Sequence, residues 1–196
     1  SFSYLETGKA YSFVNSSEGF VGLTIHDSNE GTYLRHTTEA WSDNAWEVTS
    51  STINADFTQT VKLKNKGTGR FVGAASSSMS GKVAYPVSVA QSGSNIVCHF
   101  NLKEGDFEFS SSGKNLYPIP ANSLTLPGII SSGSSIGGSN AIRLVGSAWA
   151  VNPVYVVTYV CTDEAGNALG SFRQSAEAGK AYTCEAPSIK NHSAVS

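Results

Sequence analysis

Charged side chains are scarce in this chain, and their scarcity excludes several classes of function. Asp, Glu, Lys and Arg make up 14% of the 196 residues, with a formal net charge of −2, whereas an average soluble domain carries about 25%. No cluster of Lys and Arg is present, so we expect no DNA or RNA partner. Serine, glycine, threonine and asparagine replace the charges, a composition common in secreted and cell-surface β-proteins. We therefore expect a secreted or cell-surface (extracellular or periplasmic) location.

Cysteine, histidine and long apolar runs are also few. Three cysteines do not make a disulfide framework. Cys161 and Cys184 each end a strand-like run and could face each other across adjacent strands, and whether they are bonded stays open. Four scattered histidines and no CxxC motif give no metal-ligand spacing, so we expect no metal and no cofactor. The longest apolar run, "VYVVTYVC", is too short to span a bilayer, and we expect no membrane insertion.

The apolar stretches that are present are typical of strands. Most span four to eight residues, are β-branched or aromatic, and are bounded by Gly, Ser, Asn or Pro. Alternation is best at residues 10–14, 60–64, 106–110 and 154–160. Nothing indicates a long helix. The sequence therefore predicts an all-β chain.

A turn pattern with glycine before an apolar pair recurs three times. The copies are "NEGTYLRH" (29–36), "NKGTGRFVG" (65–73) and "SSGKNLYPI" (111–119). Strands precede these turns at spacings of 50 residues, from Tyr11 to Val61, and 46 residues, from Val61 to Phe107. Three units of this size predict a threefold β architecture, the β-trefoil. The first unit is irregular, because the extra segment 15–27 lies between its strand and its turn.

The character of the sequence changes after Trp149. A Pro-containing joint at Val151–Pro153 is followed by a strong strand and by the turn "DEAGN". We predict a β-trefoil over residues 1–150 and a small β module, Ig-like or β-grasp-like, over residues 151–196. The sequence leaves open whether that module is complete. We also expect the chain to be part of a longer protein.

Two motifs connect residues 8–148 to a known family. "KNKGTGRFVG" is similar to an "N-x-x-TGKYL" turn, and "DNAWEV" stands in the place of a Q-x-W element, with Asn44 where the Gln would be. These residues resemble the ricin-type β-trefoil modules of secreted bacterial proteins, especially glycan-acting proteins of gut Bacteroidetes. The chain departs from the element at its other copies, Cys98/Phe100 and Asn140/Ile142. The resemblance implies that Trp46 is a core residue.

The last part of the chain carries a second resemblance. "YVCTDEAGNAL" and "AGKAYTCEAPSI" are similar to stretches of the small MucBP- or Ig-like β modules that recur as spacers in bacterial surface proteins. Residues 153–190 therefore resemble such a module.

Catalytic motifs are missing from the chain. It has no G-x-S-x-G elbow for a nucleophilic serine, and its four histidines stand in unrelated contexts. The acids of the N-terminal third do not form the paired frame of a glycoside hydrolase. We therefore expect a non-catalytic chain, whose parent protein could still be an enzyme.

Candidate sugar-binding groups are concentrated in the first unit. Protein–sugar sites combine an aromatic face with Asp, Asn or Gln groups that bond vicinal hydroxyls. The candidate site residues are Asp27, Asn29, Trp41, Asp43 and Asn44. We expect the Trp41 ring, in a polar loop, to stack on a sugar. In the structural alternative, Trp41 covers the end of the barrel and the two aspartates accept hydrogen bonds within turns.

These features predict a lectin-like accessory module of a larger protein. Its expected partners are a glycan or polysaccharide and the other domains of the parent chain. The alternative is a structural or protein-interaction spacer without a sugar site. A third option, a Kunitz-type inhibitor with a rigid exposed loop, depends on the proline-stiffened stretch "YPIPANSLTLPG" (117–128).

Overall fold

The computed structural model describes most of the chain in separate stretches. They are residues 3–14, 22–28, 31–37, 42–75, 85–90, 92–93, 95–101, 106–111, 114–118, 130–132 and 148–183. Within them every regular element is a β-strand, and all strand pairs are antiparallel. The predicted all-β class is therefore confirmed.

Thirteen strands make up the described fold. In chain order they are β1 (Ala10–Val14), β2 (Gly22–Ser28), β3 (Gly31–Thr37), β4 (Trp46–Ile53), β5 (Gln59–Asn65), β6 (Phe71–Ala75), β7 (Tyr85–Ala90), β8 (Ile96–Asn101), β9 (Asp106–Ser111), β10 (Lys114–Pro118), β11 (Ile130–Ser132), β12 (Ala148–Thr162) and β13 (Ala168–Glu177). The four segments with the best alternation all lie in these strands, in β1, β5, β9 and β12.

The sheet curls until its pairings form a ring of six strands. Around the ring β12 pairs with β1, β1 with β4, and β4 with β5. The ring continues from β5 to β8 and from β8 to β9, and β9 pairs back to β12. Six of the other strands form the pairs β2–β3, β6–β7 and β10–β11, and β7 lies between β3 and β11. The seventh, β13, pairs with β12.

Among the described residues, the core contains side chains of the ring and of the β2–β3 hairpin, together with Leu5 and Val72 of β6. Alternate residues of β5 are buried, from Gln59 to Asn65, as the two-residue period of a strand with one buried face requires. Trp46 is fully buried and its Nε1 donates to the Leu23 carbonyl at 3.0 Å. The expectation that Trp46 is a core residue is thereby confirmed.

A buried glutamine attaches the N-terminal segment to the ring. The Leu5 amide donates to Gln59 Oε1 at 3.0 Å, and Gln59 Nε2 donates to the Leu5 carbonyl at 2.7 Å and to Ser51 Oγ at 2.8 Å. Gln59 is fully buried. Both ends of its amide are bonded, so its burial avoids the cost of an unsatisfied polar group.

β12 crosses the boundary predicted between residues 150 and 151. Its residues Ala150–Val154 pair with β1, and its later residues pair with β13. Pro153, expected in a joint, lies inside the strand opposite Tyr11, and its carbonyl accepts the Ala178 amide at 2.9 Å. One strand thus belongs to both predicted parts, and the division into two domains stays a prediction.

Some predictions fall on residues that the structure does not describe. Cys161 is a free cysteine, whereas Cys184 lies outside the described residues. Residues 139–145, predicted as the third copy of the Q-x-W-like element, also lie outside them, as does most of the segment 117–128. In the described ranges no helix has the length and apolarity to cross a bilayer.

Candidate functional site

The turn between β5 and β6 contacts two parts of the first unit, the β2–β3 hairpin and the loop 42–45. Asn65 is fully buried, and its Oδ1 accepts the amides of Gly67 and Thr68, each at 3.0 Å. Its Nδ2 donates to the Asp43 carbonyl at 2.8 Å. Gly69 has a φ of 72°, a left-handed conformation that glycine adopts without a Cβ clash. The predicted "NKGTGR" turn is therefore held by one buried side-chain amide together with its own backbone hydrogen bonds.

Asp27 lies at the surface, where the β2–β3 hairpin meets this turn. Arg70 Nη1 donates to Asp27 Oδ1 and Nη2 to Oδ2, both at 3.0 Å. Thr32, the cross-strand neighbour of Asp27, donates its hydroxyl to Oδ1 at 2.8 Å. The Asp27 side chain is 62% exposed and that of Arg70 26%. The Asp27 carboxylate thus accepts three hydrogen bonds and is still accessible.

The charge of Asp27 is stabilised by its neighbours. The hydrogen bonds from Arg70, and then that from Thr32, lower the pKa of the Asp27 carboxyl to about 2. The same contact raises the pKa of Arg70. Both groups are therefore ionised at neutral pH, and Asp27 presents a fixed acceptor rather than an exchangeable proton.

The described residues leave part of the hydrogen-bonding capacity of the Asp27–Arg70 pair unused. A carboxylate has about four acceptor positions, and the described residues occupy three of those on Asp27. A guanidinium has five N–H donors, and two of those on Arg70 are directed to Asp27. The pair can thus accept from one hydroxyl and donate to another, as recognition of neighbouring sugar hydroxyls requires.

Asp43 and Asn44 are directed to β13. Arg173 Nε donates to Asp43 Oδ1 at 2.6 Å, and Arg173 Nη2 donates to Oδ2 at 2.9 Å. Asn44 is buried, with 4% of its surface exposed, and its Oδ1 accepts the Ser175 hydroxyl. A Cβ on Gly67 would collide with the Asp43 carboxylate. The two polar side chains therefore fasten β13 to the loop 42–45 beside the turn.

A shallow depression lies at this contact, and it encloses no room for a water molecule. Its lining residues are Ser42, Asp43, Asn44, Ala45, Gly67, Val156, Arg173, Gln174 and Ser175. The small volume and the internal bonds of its polar side chains make this side of the loop a packing contact.

The structure separates the predicted site residues into two groups. Asp27 is exposed, whereas Asp43 and Asn44 contact β13, and both groups adjoin the turn at Asn65–Arg70. Asn29 and Trp41 lie outside the described residues. Within the part of the chain that the structure describes, no group of three His, Cys, Asp or Glu residues could hold a metal ion.

The sequence does not indicate the roles of two arginines in these contacts, Arg70 and Arg173. Arg70 is 43 residues from Asp27, and Arg173 is 130 residues from Asp43. No local pattern signals partners at such separations. The only hint was the position of Arg70 at the end of a turn that the sequence repeats.

Comparison of the chain with family models, with curated proteins and with solved structures found no match. The resemblance of residues 8–148 to ricin-type modules therefore stays a prediction, and the geometry described above is the basis of the functional proposal.

Proposed function

We propose that this chain is a non-catalytic, lectin-like module of a larger secreted or cell-surface protein. In this proposal it has a β-trefoil fold extended by a small β unit, and its first repeat binds a glycan. The other domains of the parent protein are the second partner.

The strand pairings support the trefoil. The six ring strands are the first and last of three consecutive groups of four: β1–β4, β5–β8 and β9–β12. In each group the two middle strands form an antiparallel pair outside the ring. A threefold alternation of ring strands and outer hairpins is what three sequence repeats would produce. β13 then extends the last ring strand.

The exposed Asp27–Arg70 pair is the observation that carries the proposed glycan site. Its groups are fixed by each other and by Thr32 before any ligand arrives. Pre-ordered groups lower the entropic cost of binding. The nearly neutral, hydroxyl-rich composition of the chain favours an uncharged polar ligand over nucleic acid.

The proposed mechanism divides the predicted residues by role. The Trp41 ring stacks on one face of a sugar, and Asp27, with Asn29 and Arg70, bonds its hydroxyls. Asp43 and Asn44 act as positioning residues, because they follow Trp41 in the chain and fix its loop against β13. Affinity at a single site is weak, and attachment to a longer chain raises the effective concentration.

A glycan array tests this proposal. The wild-type chain should bind members of the array, and Trp41→Ala should abolish that binding because the stacking face is gone. Asp27→Asn should weaken binding about tenfold, because the neutral amide accepts less strongly and loses its ion pair with Arg70.

Lys180→Ala is the matched control, because it removes an exposed ion pair with Glu177 in which no residue of the proposed site takes part. It should bind as the wild type does, and all variants should keep the wild-type circular dichroism spectrum. Binding that survives Trp41→Ala would contradict the site assignment.

The contacts of Arg173 and Ser175 favour a second candidate function, a structural or protein-interaction spacer. They hold the β12–β13 hairpin in one orientation on the ring, as a rigid connection between neighbouring domains requires. Two results together would favour the spacer. The wild-type chain would bind no glycan, and loss of Arg173 would loosen this hairpin.

A further inference from the structure

The turn between β4 and β5 presents an aromatic ring in an unusual conformation. Phe57 has a φ of 66°, and it is the one non-glycine residue with positive φ in the described part of the chain. A bulky side chain rarely adopts this left-handed region. The Phe57 side chain is also 75% exposed, so packing within the chain does not offset the backbone strain.

Hydrogen bonds fix the turn around this residue. The Asn54 amide donates to the Thr58 carbonyl at 2.8 Å, and the Phe57 amide to the Asn54 carbonyl at 2.9 Å. Asp56 Oδ1 accepts the Thr58 amide at 3.1 Å, and the Tyr4 hydroxyl donates to the Phe57 carbonyl at 3.0 Å. This pattern is a three-residue hairpin loop, in which the left-handed position is usually glycine. Here that position carries phenylalanine.

Strained residues persist where the surrounding structure enforces them, and they cluster at ligand contacts. We propose that Phe57 is a stacking platform for one neutral sugar ring, a binding site separate from that of Asp27. This site goes beyond the proposed function, because β4, a strand of eight residues, separates Phe57 from the turn that carries Arg70. Phe57 follows the Ile53 end of β4, whereas Trp46 at the other end pairs with Asn65. At about 3.3 Å per residue, the separation is on the order of 20 Å.

The surroundings of Phe57 fit a sugar better than other ligands. Asp56 is the only charged residue between Val48 and Gln59, which disfavours nucleic acid and anionic surfaces. The exposed apolar side chains here are Phe57 and Ile53, 54% exposed. Together they cover far less than the roughly 800 Å² that each partner buries in a stable protein interface.

A polar acceptor belongs to the same turn, on Asn54, whose backbone carbonyl accepts the Phe57 amide. Asn54 Nδ2 donates to the hydroxyls of Thr58 and Thr60, both at 2.9 Å. Its Oδ1 accepts no hydrogen bond from the described residues. An aromatic face next to an amide oxygen can stack on a pyranose and accept one of its hydroxyls.

Titration of neutral trisaccharides of glucose, galactose, mannose and N-acetylglucosamine into ¹⁵N-labelled full chain tests the inference. We expect at least one trisaccharide to shift the amide signals of residues 54–58. In Phe57→Asn the midpoint of that titration should rise at least tenfold. The same variant should melt about 2–4 °C higher, because asparagine tolerates the left-handed conformation. Phe57→Trp, which keeps an aromatic face, should bind within about threefold of the wild type.

Two matched controls make the result specific. Tyr155→Thr removes another exposed aromatic, on β12, and should leave the titration at residues 54–58 unchanged. Asp27→Asn should also leave it unchanged, so failure here and failure of the Asp27 site are separate results. The inference is overturned if no trisaccharide shifts residues 54–58, if Phe57→Asn keeps the wild-type midpoint, or if only a protein partner binds this turn.

Discussion

Two buried side-chain amides, Gln59 and Asn65, lie at the two ends of β5. Gln59 bonds both backbone groups of Leu5, and Asn65 bonds two amides of its own turn and the carbonyl of Asp43. Each amide has donors and acceptors on opposite sides, so one residue can satisfy groups from two segments. The sequence pattern predicted the alternation of β5, but it could not predict that the end positions are buried and polar.

A histidine in the β2–β3 hairpin makes stability depend on pH. Burial, and then the charge of Arg35, lower the pKa of His36 from 6.5 to about 4. The unfolded chain therefore binds a proton between pH 6.5 and 4 that the folded chain does not bind, and stability falls as the pH is lowered through this window. The full loss is at most about 3–4 kcal/mol, since the two pKa values differ by roughly 2.5 and each unit of pKa corresponds to about 1.4 kcal/mol.

Urea unfolding at pH 4, 5, 6 and 7 measures this dependence. His36→Gln should flatten the decline between pH 6.5 and 4, and His26→Gln, on the neighbouring strand, should keep it. Asp27 contributes in a different range, because its pKa is depressed from 3.8 to about 2 and its contribution is lost only as the pH falls below 3.8. A wild-type slope that persists in His36→Gln would contradict this assignment.

At the scale of elements, the β12–β13 hairpin depends on contacts with the loop 42–45. A two-stranded ribbon is marginal by itself in water. Here Arg173 and Ser175 of β13 reach Asp43 and Asn44. On the opposite face, the Tyr182 hydroxyl donates to Gln174 at 3.0 Å and accepts from Tyr159 at 2.9 Å. The hairpin is thus held from both faces.

Hydrogen exchange of β13 tests that dependence. Arg173→Ala removes a bidentate ion pair that is partly exposed and contributes about 1 kcal/mol. Amides of residues 171–177 should then exchange about fivefold faster, while those of β4 and β5 keep their rates. Lys180→Ala, which removes an exposed pair on the same hairpin, should leave β13 unchanged. Equal protection in Arg173→Ala and the wild type would show that the ion pair does not hold the hairpin.

The local sequence pattern predicts several strands and one turn of the fold correctly, but not the contacts between distant residues. Residues 10–14, 60–64, 106–110 and 154–160 were predicted as strands from alternation, and each lies in one. The turn of residues 65–70 was predicted from its glycines. The contacts that define the candidate site join residues 43 and 130 positions apart. Such contacts depend on the folded arrangement of the sheet, so local periodicity could not reveal them.

At the scale of the whole molecule, the ring of six strands brings the two ends of the described chain together. β1 and β12 pair across about 140 residues. Because loop closure over such a distance is costly, contacts of this kind form slowly and are invisible to local propensity. The same pairing explains why the predicted boundary at residue 150 lies inside a strand, since β12 leaves the ring and continues into the last hairpin.

The proposed glycan site of the first repeat combines Trp41 with the Asp27–Arg70 pair. A crystal structure of the chain with its strongest glycan-array ligand tests this most directly. We predict a sugar ring against the Trp41 indole, with one hydroxyl donating to the Asp27 carboxylate and another accepting from Arg70. A ligand bound away from both residues, with the Trp41 ring buried under the end of the barrel, would contradict the account.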